Sequence, residues 1–110
     1  MIDWPRVSQL RDEVGASEFD EVVTIFLDEV QEALARLRAD TNRDGFERTL
    51  HFLKGGALSL GFKTLATLCQ DGERQSAQGQ SQMVNVAQIF KAFETSCAEF
   101  KSGLSNLKGL

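Results

Sequence analysis

The reading of this chain turns on His51-Phe52-Leu53-Lys54-Gly55-Gly56-Ala57-Leu58-Ser59-Leu60-Gly61, a stretch that carries the only histidine in the sequence. Leu50, Leu53, Ala57 and Leu60 recur at helical spacing together with Phe46, so the segment reads as one turn after another of an amphipathic helix that ends near Gly61. Two adjacent glycines sit inside it, although each weakens a helix interior by roughly 0.5–1 kcal/mol relative to alanine. At about 100° per residue the apolar positions cluster within roughly 40° of Phe46, whereas His51 falls near 140°. The ring is therefore expected to point to solvent.

Outward from this helix the same periodicity continues in both directions. Asp3 caps a short first helix that has Pro5 in its first turn and continues through Val7, Leu10 and Val14 to Gly15. Ser17-Glu18-Phe19-Asp20 resembles a capping box and opens a long helix. Its stripe is Phe19, Val22, Val23, Phe26, Val30, Ala33, Leu34 and Leu37, ending near Asp40. Thr41 to Gly45 is a break, with Asn42 or Asp44 the expected cap of the central helix. A fourth helix is expected from Phe62 to about Gln78 with Leu65, Leu68, Cys69 and Gly72 inward. After a polar loop over Ser76 to Ser81, a last helix should run from about Gln82 to Gly103 on Val86, Phe90, Phe93, Cys97, Phe100 and Leu104. No apolar alternation of period two and no repeat interrupts this pattern. The expected fold is all-α: an antiparallel four-helix bundle preceded by a short N-terminal helix, occupying residues 1–110 as a single domain.

Composition fits. The chain has 110 residues, 42% hydrophobic and 25% charged, with one proline and no tyrosine, a globular profile of one-domain size. No apolar run reaches the roughly 18–20 residues of a membrane span, and the first residues lack the character of a leader, so a soluble, cytoplasmic protein is expected. Cys69 and Cys97 are distant from each other in sequence and fall on apolar stripes, where cysteine serves as a small buried hydrophobe; a metal site has no support. The net charge of −4 argues against a nucleic-acid partner. Residues 1–44 hold eleven acidic and five basic side chains, residues 45–110 five acidic and seven basic, so the half with His51 is slightly basic.

The neighbours of His51 on the helical wheel suggest a chemistry. Glu47 lies one turn before it, Lys54 and Gly55 one turn after, all on the outward side. Neutral imidazole is a good nucleophile near pH 7. Were it to attack phosphorus, Lys54 would stabilise the developing phosphoryl charge and Glu47 would hold the second ring nitrogen. Gly55, without a β-carbon, would leave room for the phosphoryl group and its donor, while Gly56 faces neighbouring helices and suits close packing. Leu58, near 120°, and Ile25, off the stripe of the long helix, are apolar residues available for docking. Taken singly, an exposed histidine is most often just a solvated surface residue.

The combination His51-x-x-Lys54-Gly55, then Leu60-Gly61, then Leu65-Ala66-x-x-Cys69-x-x-x-Glu73, closely resembles the signature of histidine-containing phosphotransfer (HPt) domains. The resemblance extends over the front helix and the long acidic helix. It implies a four-helix bundle whose histidine, here His51, takes a phosphoryl group from a receiver-domain phosphoaspartate and passes it to another receiver. It implies Lys54 as charge partner and Gly55 as the space-making residue. Two departures stand out: Gly56-Ala57 where small serines are frequent, and Gly72 where a larger apolar residue is usual, which would affect packing of the fourth helix.

No nucleotide loop of the GxxxxGK kind and no acidic metal cradle adjoins His51, so no cofactor is expected on this chain. Mg²⁺ and most catalytic groups would come from the receiver of a hybrid histidine kinase or response regulator. The chain then reads as a phosphoryl carrier, suited to a monomer, without autokinase machinery. The competing readings are a helical adaptor in which His51 is incidental, and the phosphoacceptor fragment of a larger histidine kinase.

Overall fold

The computed structural model of the protein describes residues 1–108. Its helices are α1 (Trp4–Val14), α2 (Ala16–Ala39), α3 (Phe46–Leu60), α4 (Lys63–Ala77) and α5 (Val86–Lys108), with one 3₁₀ turn at Ser81–Met83. Among the described residues there is no β-strand beyond an isolated bridge between Ile2 and Phe62. The body is elongated, 47 × 20 × 19 Å. Short turns make α2 to α5 run alternately up and down. Cross-helix neighbours show it: Gly56 meets Val30 and Phe52 lies under Arg36 on α2, while His51 and Lys54 both reach Glu73 on α4.

The apolar stripe of α3 is the centre of the core. Phe46, Leu50, Leu53, Ala57 and Leu60 are all essentially inaccessible, and α3 contacts α1, α2 and α4. At one end of the bundle Phe62 packs edge-on against Phe100 of α5, with ring centroids 5.4 Å apart, and Trp4 stacks on the same ring at 6.1 Å. The indole also lies over Gly103, where any β-carbon would collide with it. This is how the front helix is fastened to the bundle. The N-terminal strand-like residues add two backbone bonds to the α3–α4 turn, Asp3 N–H to Gly61 O at 2.7 Å and Lys63 N–H to Met1 O at 3.2 Å. Gly61 takes the left-handed conformation that ends α3, φ 77°.

At the opposite end Arg43 joins two loops. Its guanidinium donates to the carbonyls of Ser81 and Val84, each at 3.0 Å, and its cation sits 5.0 Å from the Phe46 ring centroid. The residue holds a left-handed backbone, φ 64°, the only non-glycine residue to do so among those described. That conformation turns the chain from α2 into α3.

Several local expectations are corrected. The capping box at Ser17 is not used, because Gly15 with φ 90° ends α1 and begins α2 in a single residue. Neither Asn42 nor Asp44 caps α3. Gly45 holds that position, and its N–H donates to the Asp40 carboxylate at 2.8 Å. The last helix begins later and ends later than the sequence suggests, and its buried face is turned: Ile89, Ala92, Phe93, Ser96 and Phe100 are inside, whereas Val86, Phe90, Cys97 and Leu104 are only partly covered. A polar Ser96 concealed the true face, and Arg38 covers Phe90 from α2 at 4.2 Å. Gly72 is explained by its surroundings. A β-carbon there would stand 2.9 Å from Leu50 Cδ1 and 3.3 Å from Val84 Cγ1, so the small residue lets α4 lie close on α3.

Candidate functional site

His51 lies midway along α3 on the side away from Phe46 and Leu50, and its side chain is 69% exposed. The two glycines beyond it separate cleanly. A β-carbon on Gly55 would meet nothing within 4 Å, whereas one on Gly56 would come 2.8 Å from Val30 Cγ2. Gly55 therefore faces open solvent beside the ring, and Gly56 is the point where α2 and α3 touch. The weak stretch of helix is open on one side and in close contact on the other.

The imidazole is held from a different helix. Nδ1 of His51 lies 2.7 Å from Oε2 of Glu73 on α4, and the other oxygen of the same carboxylate, Oε1, accepts from Lys54 Nζ at 2.8 Å. One carboxylate thus binds two side chains of α3. A carboxylate only accepts, so Nδ1 carries the hydrogen, and in the neutral ring the lone pair is left on Nε2. The hydrogen bond from Lys54 holds the Glu73 carboxyl below its ordinary value; partial desolvation opposes this and the bond from His51 reinforces it. Glu73 and Lys54 are only 21% and 25% exposed in their side chains, so the pair is shielded while the ring is open.

This arrangement revises the expected partner. No hydrogen bond or ion pair joins Glu47 to His51; Glu47 is exposed and lines an open depression of about 900 Å³ beside the ring with Arg36, Arg48 and Glu73. A helical wheel reveals neighbours along α3 only, whereas the carboxylate that reaches Nδ1 comes across the α3–α4 seam. Its signal was present: Glu73 stands one turn after the inward-facing Cys69, an acid on the buried side of α4. Lys54 is likewise engaged with Glu73 in the resting site.

Three large apolar side chains of α2 and α3 are exposed. Leu58 is 56% exposed and Ile25 48%, and Phe52, which the sequence reading passed over, is 46% exposed beneath the Arg36 guanidinium at 5.5 Å. Cys69 lies under the site, one turn before Glu73 on α4, and Cys97 is on α5. Burial, reinforced by the nearby Glu73 carboxylate, pushes the Cys69 thiol up to about 12, and Cys97 is also raised by burial. Among the described residues no group of three or more His, Cys, Asp or Glu is placed to hold a metal ion, and no helix is long and apolar enough to cross a membrane. A separate cavity of about 440 Å³, walled by Val7, Arg11, Gly15, Phe19 and Leu104, shares no residue with the histidine site.

An exposed imidazole held at Nδ1, with open space at the glycine one turn on, can act as a nucleophile through Nε2. Residues 21–108 match the family model for the Hpt domain, most of the chain. This chain belongs to the Hpt domain family. The match begins inside α2 and leaves α1 outside it. No significant match is found among curated proteins or solved structures. Hpt domains serve phosphotransfer in two-component signalling, as carriers that interact with receiver domains and lack the ATP-binding machinery of kinases. The all-α bundle is the fold such a domain requires.

Proposed function

We propose that this Hpt domain is a phosphorelay intermediate in which His51 takes a phosphoryl group from the phosphoaspartate of one receiver domain and gives it to the aspartate of another. The observation that carries the reading is the open Nε2 of a ring whose other nitrogen is fixed by Glu73. The Nε2 lone pair forms the N–P bond as the P–O bond to the receiver's aspartyl oxygen breaks, and the electron pair leaves on that carboxylate. The Nδ1 proton stays in place, so no proton has to be lost; the ring becomes positive and faces the negative Glu73. Transfer onward is the reverse set of bond changes at a second receiver.

Catalysis of this kind is mainly positioning and charge compensation. Gly55 gives the donor's active site access to the ring. Leu58 and Ile25 form part of the docking face, together with Phe52. The Mg²⁺ used in acyl-phosphate chemistry is supplied by the receiver, and the cytoplasm, where receivers act, is the place of action.

Incubation with phosphorylated receiver domains tests the assignment. The native chain should acquire acid-labile, base-stable phosphate, His51→Gln should acquire none, and ATP alone should label neither. Equal labelling of the native chain and His51→Gln, or no labelling of either across a full set of receivers, would leave a helical adaptor as the better description. Labelling by ATP alone would point to a kinase fragment.

A further inference from the structure

A phosphoryl group on Nε2 of His51 brings about two negative charges to a place already bordered by carboxylates. Asp44, Glu47 and Glu73 all line the depression of about 900 Å³ beside the ring. Glu73 is balanced by the Lys54 ammonium at 2.8 Å, so that pair is closed on itself. The cations that remain are Arg36 and Arg48, which line the same depression and are exposed. Among the described residues neither of them, nor Asp44 or Glu47, takes part in an ion pair. We propose that Arg48 and Arg36 hold the phosphoryl group carried on His51, as a two-cation clamp on the α2 side of the ring. The inference rests on the phosphotransfer reading of His51 and deepens it by assigning the groups that balance the carried charge.

Each arginine owes its part to its place in the bundle. Arg48 stands three residues before His51 on α3, so the two side chains are neighbours on the helix surface. Arg36 comes from the last turn of α2, and its guanidinium lies 5.5 Å from the ring centroid of Phe52, the residue that follows His51. A guanidinium resting its face on an aromatic ring keeps its in-plane N–H donors free. Phe52 is thus a platform that orders a long side chain without using up its hydrogen bonds. One guanidinium can take two phosphate oxygens in a forked pair, a geometry that a lysine ammonium lacks. In the unphosphorylated chain the depression is close to neutral, with Arg36 and Arg48 against Asp44 and Glu47, and Lys54 against Glu73. Phosphorylation adds the stronger anion, and both arginines turn to it.

The test reads the phosphoryl group itself. Phosphoramidate, a small donor that needs no receiver, places phosphorus on Nε2: the bond from phosphorus to the ring forms as the donor's P–N bond breaks, and ammonia leaves with the electron pair. The ³¹P chemical shift is then followed against pH, because a cation in contact with the phosphoryl group favours its dianion and lowers the pH at which it takes up a proton. Arg48→Gln should raise that midpoint by about one unit and Arg36→Gln by about half a unit. Arg48→Lys, which keeps the charge, should retain at least half of the native effect. Phe52→Leu, which removes the platform and alters no charge, should reproduce most of the Arg36→Gln shift. Arg38 lies over Phe90 and away from the depression, so Arg38→Gln should move the midpoint by less than about 0.2 units. These side chains are exposed or half-exposed, and the variants keep the bundle. Midpoints in Arg48→Gln and Arg36→Gln that move no more than in Arg38→Gln would overturn the clamp while the phosphotransfer reading stood. A native chain that neither phosphoramidate nor any receiver labels on His51 would overturn that reading and the clamp with it.

Discussion

Adjacent glycines in one helix should respond to the same substitution in opposite ways. At Gly55 an added methyl meets nothing within 4 Å, so Gly55→Ala keeps the helix geometry and gains the propensity difference, about 0.5–1 kcal/mol. For a domain of this size that is a rise in Tm of roughly 2–5 °C. At Gly56 the methyl would stand 2.8 Å from Val30 Cγ2, and Val30 is fully buried. Its β-branched side chain has one strongly preferred rotamer in a helix and cannot swing aside, so α2 and α3 must move apart. Overpacking of that kind costs about 1–3 kcal/mol, which outweighs the propensity gain and leaves Gly56→Ala destabilised by roughly 0–2 kcal/mol. Function should follow the reverse order. A methyl at Gly55 projects beside the ring where a receiver must approach, and transfer should slow by about tenfold or more, whereas Gly56→Ala should transfer at the native rate. Urea unfolding and single-turnover transfer from one phosphorylated receiver read both effects. A Gly55→Ala protein that is less stable than native, or that transfers normally, would refute the division of labour between the two glycines.

Leu58→Asp should weaken receiver binding at least fivefold or so while leaving urea stability within about 0.5 kcal/mol, because the side chain is 56% exposed; calorimetric titration and unfolding curves check the two halves. Glu73 has a lowered folded value, so its contribution is complete above its ordinary value of 4.5 and is lost as pH falls through the lower one. The stability advantage of the native protein over Glu73→Gln should therefore shrink as pH is taken from about 5 to about 3, and an advantage that grows on acidification would contradict the Lys54–Glu73 bond. Arg43→Ala removes two hydrogen bonds to loop carbonyls and should cost about 1–3 kcal/mol. Arg43→Gly, which relieves the left-handed backbone, should cost less by roughly 1 kcal/mol; equal losses in urea unfolding would show that the backbone conformation carries no strain.

Much of this molecule is written along the chain. Periodicity at three and four residues marks each helix, because an amphipathic helix repeats its buried face at fixed angular steps. For α3 it separates core from surface residue by residue: Leu50, Leu53, Ala57 and Leu60 inside, His51 out. Where a polar residue enters the buried face the pattern fails, as with Ser96 on α5, and where a turn is made by backbone conformation the caps are misassigned, as at Gly15 and Gly45. What no wheel contains is contact between helices. The carboxylate on Nδ1 comes from Glu73, twenty-two residues away, the same group engages Lys54, and Val30 gives Gly56 its purpose. Sequence alone determined that this chain forms a helical bundle presenting one histidine, since local periodicity sets which face is apolar. Only the tertiary structure decided which nitrogen of that histidine is free, because that depends on how closely α4 lies against α3.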